Sequence, residues 1–185
     1  MAKITRKLVV LGASRVGKSS IISRLIYDNF EQEYYPTTGA SFRYDKEIEE
    51  TNYEITITDT PGQDEQDMFQ VSYTLDVDGY ILIYSVDDKD SFQQSKRIFD
   101  KLMDIVGPNA IPTILVANKI DLTEERVVSR EEGKEMAQLM NIPYIETTAK
   151  DDQKVEDVFM ELLEKIREKN RNRIGWIDYF LSFFF

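Results

Sequence analysis

Apolar positions along this chain fall into short blocks, and the spacing inside the blocks alternates between two periods. Residues 8–11, 80–86 and 114–117 are near-continuous runs rich in Val, Ile, Leu and Tyr, the pattern of strands covered on both faces. Between and after them, Ile21, Ile22, Leu25 and Ile26, then Phe92, Phe99, Leu102 and Val106, then Val155, Val158, Phe159, Leu162 and Ile166 recur at helical spacing. That spacing predicts helices with one buried stripe each. Ser129 followed by Glu132 is a capping box that opens a further helix through Met140. Residues 41–48 and 53–58 predict two strands joined across 49–52 as a hairpin, residues 66–73 a short helix, and residues 144–145 a last strand. Residues 30–38, polar and aromatic and broken by Pro36, predict a long exposed loop. Strands alternating with helices give an α/β fold: a six-stranded, mostly parallel sheet with one antiparallel strand, flanked by about five helices.

The first strand and first helix enclose residues 12–19, Gly-Ala-Ser-Arg-Val-Gly-Lys-Ser, which match G-x-x-x-x-G-K-[ST]. Backbone N–H groups converge on a phosphate only where the chain bends tightly, so Gly12 and Gly17 stand where a Cβ would interfere. The helix that opens near Gly17 aims its unpaired N–H groups and positive dipole end at the same point. Lys18 supplies positive charge for the β- and γ-phosphates, and Ser19 offers a hydroxyl to Mg²⁺. A glycine-containing turn beside a surface lysine is the bland alternative, and the strand and helix on either side count against it.

Composition narrows the chemistry. At 185 residues the chain fits one domain with a substantial core, and 42% hydrophobic content agrees. With neither cysteine nor histidine present, disulfides, thiol catalysis and zinc–thiolate sites are excluded. Any bound metal has to be held by oxygens, which favours Mg²⁺ or Ca²⁺. A net charge of −11 argues against nucleic acid as a partner. The first residues lack a signal-peptide core, and no apolar run approaches the ~20 residues of a spanning helix, so a cytoplasmic location is expected.

The order of the motifs, over residues 7–169, resembles the small GTPases of the Ras superfamily, which implies a P-loop NTPase fold. The phosphate loop alone would leave ATPases and kinases open; Asn118-Lys119-Ile120-Asp121 narrows the base to guanine. A carboxylate can accept both N1–H and the exocyclic amine of guanine, a pair of donors that adenine lacks on that edge. The resemblance implies that Asp121 reads the base, that Asn118 ties its loop to the phosphate loop, and that Lys119 and Phe30 flank the ring. It also implies that Thr148-Ala149-Lys150 meets the guanine oxygen through the Ala149 N–H. Further nucleotide contacts are implied for Ser14, Arg15, Val16, Ser20 and Tyr34. Thr37 would ligate Mg²⁺ with Ser19 while a γ-phosphate is present, and Asp59 would hold the metal's water shell. Gln63 would orient the attacking water, with Gly62 and Lys18 beside the γ-phosphate. GTP, GDP and Mg²⁺ are therefore the expected ligands. Effectors, exchange factors and GTPase-activating proteins are the expected partners, through loops 30–42 and 59–75.

Within the superfamily the Ras branch is most similar, and within it the Rheb type, on residues 62–65, 79–86, 125–129 and 131–134. Four departures stand out. Ser14 occupies the position of a phosphate-loop glycine and should crowd the catalytic space, which predicts slow hydrolysis. Pro61 replaces the family's usual alanine and restricts the segment before Gly62. Thr38-Gly39-Ala40 lacks the acidic residues with which Ras meets basic effectors. Finally, the family's C-terminal lipidation box is missing, and residues 165–173 carry five positive charges and one negative ahead of an aromatic end. The expectation is a domain over 1–170 and a tail over 171–185. The basic stretch and tail, 165–185, would hold the chain on the cytosolic face of a membrane without prenylation. A tail folded onto the domain or a partner is the competing reading. The functional expectation is a slow Ras- or Rheb-like signalling switch; the alternative is a constitutively GTP-bound scaffold with negligible hydrolysis.

Overall fold

The computed structural model describes residues 3–28, 39–62, 71–108 and 111–181. Phe30, Tyr34, Thr37, Gln63, most of the predicted helix at 66–73 and residues 182–185 lie outside the described residues. One sheet contains β1 (Lys3–Gly12), β2 (Ala40–Ile48), β3 (Thr51–Asp59), β4 (Gly79–Ser85), β5 (Thr113–Asn118) and β6 (Tyr144–Glu146). Their order is β2-β3-β1-β4-β5-β6. Only the β2–β3 pair is antiparallel; β1 lies parallel to both β3 and β4, and β4, β5 and β6 continue in the same sense.

Four α-helices cover this sheet among the described residues: α1 (Lys18–Tyr27), α2 (Lys89–Val106), α3 (Arg130–Met140) and α4 (Asp152–Leu181). A 3₁₀ turn at Val71–Thr74 falls where the predicted fifth helix ends. The period-two geometry of β1 explains its unbroken apolar run. Leu8 and Val10 face the core shared with Ile21 and Ile22 of α1 and Val158, Phe159 and Leu162 of α4. Val9 and Leu11 face the other core, with Phe92, Phe99 and Leu102 of α2 and Ala137 and Met140 of α3. Both sets are fully buried, so every position from 8 to 11 must be apolar.

Helix ends follow local chemistry. Asp88 caps α2 by accepting from the N–H groups of Asp90 and Ser91, both at 3.0 Å, and Gly107 with φ 86° ends it. The Ser129–Glu132 capping box opens α3 as expected. The hairpin turn is tighter than expected: Ile48 pairs with Thr51, and Glu49 and Glu50 take the two left-handed positions with φ 48° and 62°. At the C-terminal end, α4 runs through position 171 without a break and ends at Leu181.

Candidate nucleotide-binding site

Strand polarity gathers the predicted residues. Gly12 ends β1, Asp59 ends β3, Asn118 ends β5, and Thr148 follows β6 by two residues, all at the carboxyl edge of parallel strands. Ligands bind at that edge in open α/β sheets.

At the phosphate loop, close packing explains both glycines. A Cβ on Gly12 would lie 2.3 Å from the Ile83 carbonyl oxygen, and one on Gly17 2.3 Å from Asn118 Nδ2. Gly17 is the N-cap of α1 in a left-handed conformation, with no side-chain cap and no acidic residue in the first turn. The first turn, which carries Lys18, Ser19 and Ser20, thus keeps its positive end available to an anion. Lys18 is buried, and its Nζ donates to the carbonyls of Gly12 at 3.0 Å and Ala13 at 2.8 Å. Val16 is buried, while Arg15 is exposed with φ 63°.

Ser19 Oγ donates to Asp59 Oδ2 at 2.6 Å, which brings a hydroxyl and a carboxylate oxygen from two elements to one point. Mg²⁺ takes hard oxygen ligands and keeps positions for water and phosphate, so this donor pair fits it. Among the described residues no group of three or more His, Cys, Asp or Glu side chains could hold a metal ion. The segment after Asp59 is pinned where Thr60 Oγ1 donates to the Val10 carbonyl at 2.7 Å. Next, a Cβ on Gly62 would meet Ser14 Oγ at 2.0 Å and Ser14 Cα at 2.5 Å. Gly62 therefore packs directly on Ser14.

The base-side loops are joined to this loop by one side chain. Asn118, 1% exposed, donates from Nδ2 to the Val16 carbonyl at 2.8 Å. Lys119 adopts φ 63° and directs Nζ to the Asp87 carboxylate at 3.3–3.4 Å. Burial pushes the Asp87 carboxyl up, but the Ser85 hydroxyl and Lys119 outweigh it and leave it below the usual carboxylate value. Asp121 accepts from Thr148 Oγ1 and Lys150 Nζ, one to each oxygen, both at 2.6 Å. Burial raises its carboxyl too, and these two donors more than reverse the effect. The result is a charged, bidentate acceptor beside the buried Ala149 backbone.

Comparison with known proteins decides the family, because residues 7–168 match the Ras family. The chain belongs to the Ras family. It is 41% identical over 159 residues to the GTP-binding protein Rheb of Homo sapiens, spanning 86% of each chain. To the GTP-binding protein Rheb homolog of Drosophila melanogaster it is 39% identical over 167 residues, covering 90% of this chain and 92% of the relative. The GTP-binding protein Rheb homolog 1 of Caenorhabditis elegans is 35% identical over 169 residues, with coverages of 91% and 82%. Within the Ras family the chain is therefore a small GTPase of the Rheb type.

In this Ras-family fold two supporting residues escaped the sequence reading. Asp87, which holds Lys119, follows β4 by two residues and could have been found by searching every strand's carboxyl end. Arg24, whose Nε donates to the Ala149 carbonyl at 2.9 Å, left only an i,i+4 pairing with Asp28 as a signal.

Proposed function

We propose that this chain is a GTP- and GDP-binding molecular switch that hydrolyses GTP slowly. The observation that carries the reading is the paired acceptor Asp121, held by Thr148 and Lys150 on a loop tied through Asn118 to the Lys18 loop. Guanine would donate N1–H and its exocyclic amine to Asp121, while the Ala149 N–H meets its oxygen and Lys119 and Phe30 flank the ring. Adenine lacks that pair of donors and would cover the Asp121 carboxylate without pairing it, so guanine is preferred. Residues 12–20 would cradle the phosphates, with Lys18 compensating charge at the β/γ junction and Tyr34 closing over them. Ser19 and Thr37, with Asp59 behind them, would hold Mg²⁺, which when bound neutralises phosphate charge. Gln63 would orient the attacking water and Gly62 approach the γ-phosphate, in a space that Ser14 narrows. Loss of the γ-phosphate would release loops 30–42 and 59–75, the surfaces for effectors, exchange factors and activating proteins. Family membership favours such a switch over a permanently GTP-loaded scaffold. Single-turnover hydrolysis of bound GTP, compared with Gln63→Leu, tests it. Slow turnover that falls further in the variant is expected, and absence of turnover in both refutes the switch.

We further propose a nucleotide-binding domain over residues 1–170, cytoplasmic, followed by a membrane-seeking tail over 171–185. Among the described residues no helix is long and apolar enough to cross a membrane. The tail ends in Trp176, Ile177, Tyr179, Phe180, Leu181 and three further phenylalanines, a composition suited to the interface. Lys165 pairs with Glu161 and Glu168, and Arg167 and Arg171 both pair with Glu164. Charge attraction is thereby reduced, and the aromatic residues must supply most of the affinity. Co-sedimentation with anionic liposomes should be lost in a chain ending at Arg173; equal binding by both chains refutes the anchor.

A further inference from the structure

We propose that Arg24 is a positioning residue for guanine recognition, holding the Ala149 segment so that its N–H stays aimed at the base. The proposal rests on the guanine reading of Asp121.

The peptide between Ala149 and Lys150 is gripped on both edges. Its carbonyl accepts from Arg24 Nε at 2.9 Å, and its N–H donates to Thr148 Oγ1 at 3.3 Å. The same Thr148 hydroxyl donates to Asp121 Oδ1 at 2.6 Å. A continuous hydrogen-bonded path thus joins Arg24 to the base-reading carboxylate. With one peptide plane fixed, the preceding N–H, on buried Ala149, has little freedom to turn away.

The guanidinium is itself held. Its Nη1 contacts Asp152 Oδ1 at 2.9 Å at the start of α4, Asp28 Oδ1 at 3.2 Å, and the Asp28 carbonyl at 3.3 Å. Its side chain is only 16% exposed, so these partners replace most of its hydration. Three segments therefore converge on one planar group: the end of α1, the base loop and the start of α4. A lysine ammonium gathers its three donors at one point, whereas the arginine fork reaches the carbonyl through Nε and the two acids through Nη1. The neighbouring Asp28 carboxyl raises the Asp152 carboxyl, so loss of Arg24 leaves two acids close together without their shared cation. Because α1 begins at Lys18 and carries Arg24 six residues later, about 9 Å along its axis, one helix ties the phosphate end of the site to its base end.

The test uses the full chain with Mg²⁺ and measures affinities for GDP and 6-thio-GDP, whose sulfur is a poor acceptor for the Ala149 N–H. Arg24→Met keeps the apolar stem and removes every donor. Its GDP affinity is expected to fall about 10-fold. Its 6-thio-GDP affinity should fall less, so the ratio between the two narrows. Arg24→Lys provides a second reading if Arg24→Met does not fold, with a ratio between those of Arg24→Met and the unaltered chain. Equal losses for both nucleotides, leaving the ratio unchanged, would show general loosening and overturn the proposal, as would unaltered GDP affinity in a folded variant. Failure of the unaltered chain to prefer GDP would overturn the guanine reading and the proposal together.

Discussion

Asn118 joins the two halves of the site with a single hydrogen bond, so its removal has a calculable consequence. In Asn118→Ala the Val16 carbonyl, buried beneath a residue that is 0% exposed, loses the donor now 2.8 Å away. An orphaned buried acceptor costs about 1–3 kcal/mol. Part of that is offset, because Asn118 Oδ1 is itself buried without a partner among the described residues and its removal relieves one desolvated group. A net loss of about 1–2 kcal/mol corresponds to a 5- to 30-fold faster release or weaker binding of GDP. Asn118→Asp separates the donor from the shape. It preserves the volume against Gly17 but sets a carboxylate oxygen opposite the Val16 carbonyl, so it should be worse than alanine, with a loss beyond about 100-fold. The assay is displacement of a fluorescent GDP by excess unlabelled nucleotide, with thermal melting of each variant as a folding control. Aspartate tolerated as well as alanine, or release unchanged in both, would refute the bridging role.

Three further predictions follow from packing and charge. In Lys150→Met the burial that pushes Asp121 up is opposed by Thr148 and a backbone N–H without the lysine, so its carboxyl rises. The depressed native carboxyl keeps its charge until pH falls well into the acid range; in the variant, titration of GDP affinity from about pH 7 to pH 4 should therefore show loss beginning at higher pH. Coincident acid limbs would disprove this. Gly133→Ala would normally gain about 1 kcal/mol in a helix. Its Cβ would instead stand 2.5 Å from the Tyr84 hydroxyl and 2.6 Å from the Tyr144 ring, and overpacking by about 1–3 kcal/mol should win. Melting should fall by a few degrees, about 2–4 °C per kcal/mol; a rise would contradict the packing argument. Ser14→Gly should speed single-turnover GTP hydrolysis by opening the space beside Gly62, and identical rates would remove Ser14 as the cause of slow turnover.

The element pattern was legible because it depends on local periodicity, and the structure departs from it mainly where pairing overrides composition. Residues 3–7 join β1 although Lys3 and Thr5 are exposed and polar, because β3 continues alongside them from Asn52. The hairpin turn is two residues rather than the four of 49–52, because the β2–β3 register pairs Ile48 with Thr51 and places Glu49 and Glu50 in the left-handed positions. The α2 cap at Asp88 was missed because no glutamate three residues on marks it.

Sequence alone determined the phosphate-loop motif, the Asn118-Lys119-Ile120-Asp121 motif and the alternation of strands and helices, since each depends on residue types at short spacing. Only the tertiary structure decided which groups hold those motifs in place. Asn118 meets Val16 across 102 positions and Arg24 meets Ala149 across 125. Asp87 meets Lys119 and Ser14 packs on Gly62 from separate segments as well. Such contacts carry no periodicity to read, because they form only after the sheet has brought distant chain ends to the same edge.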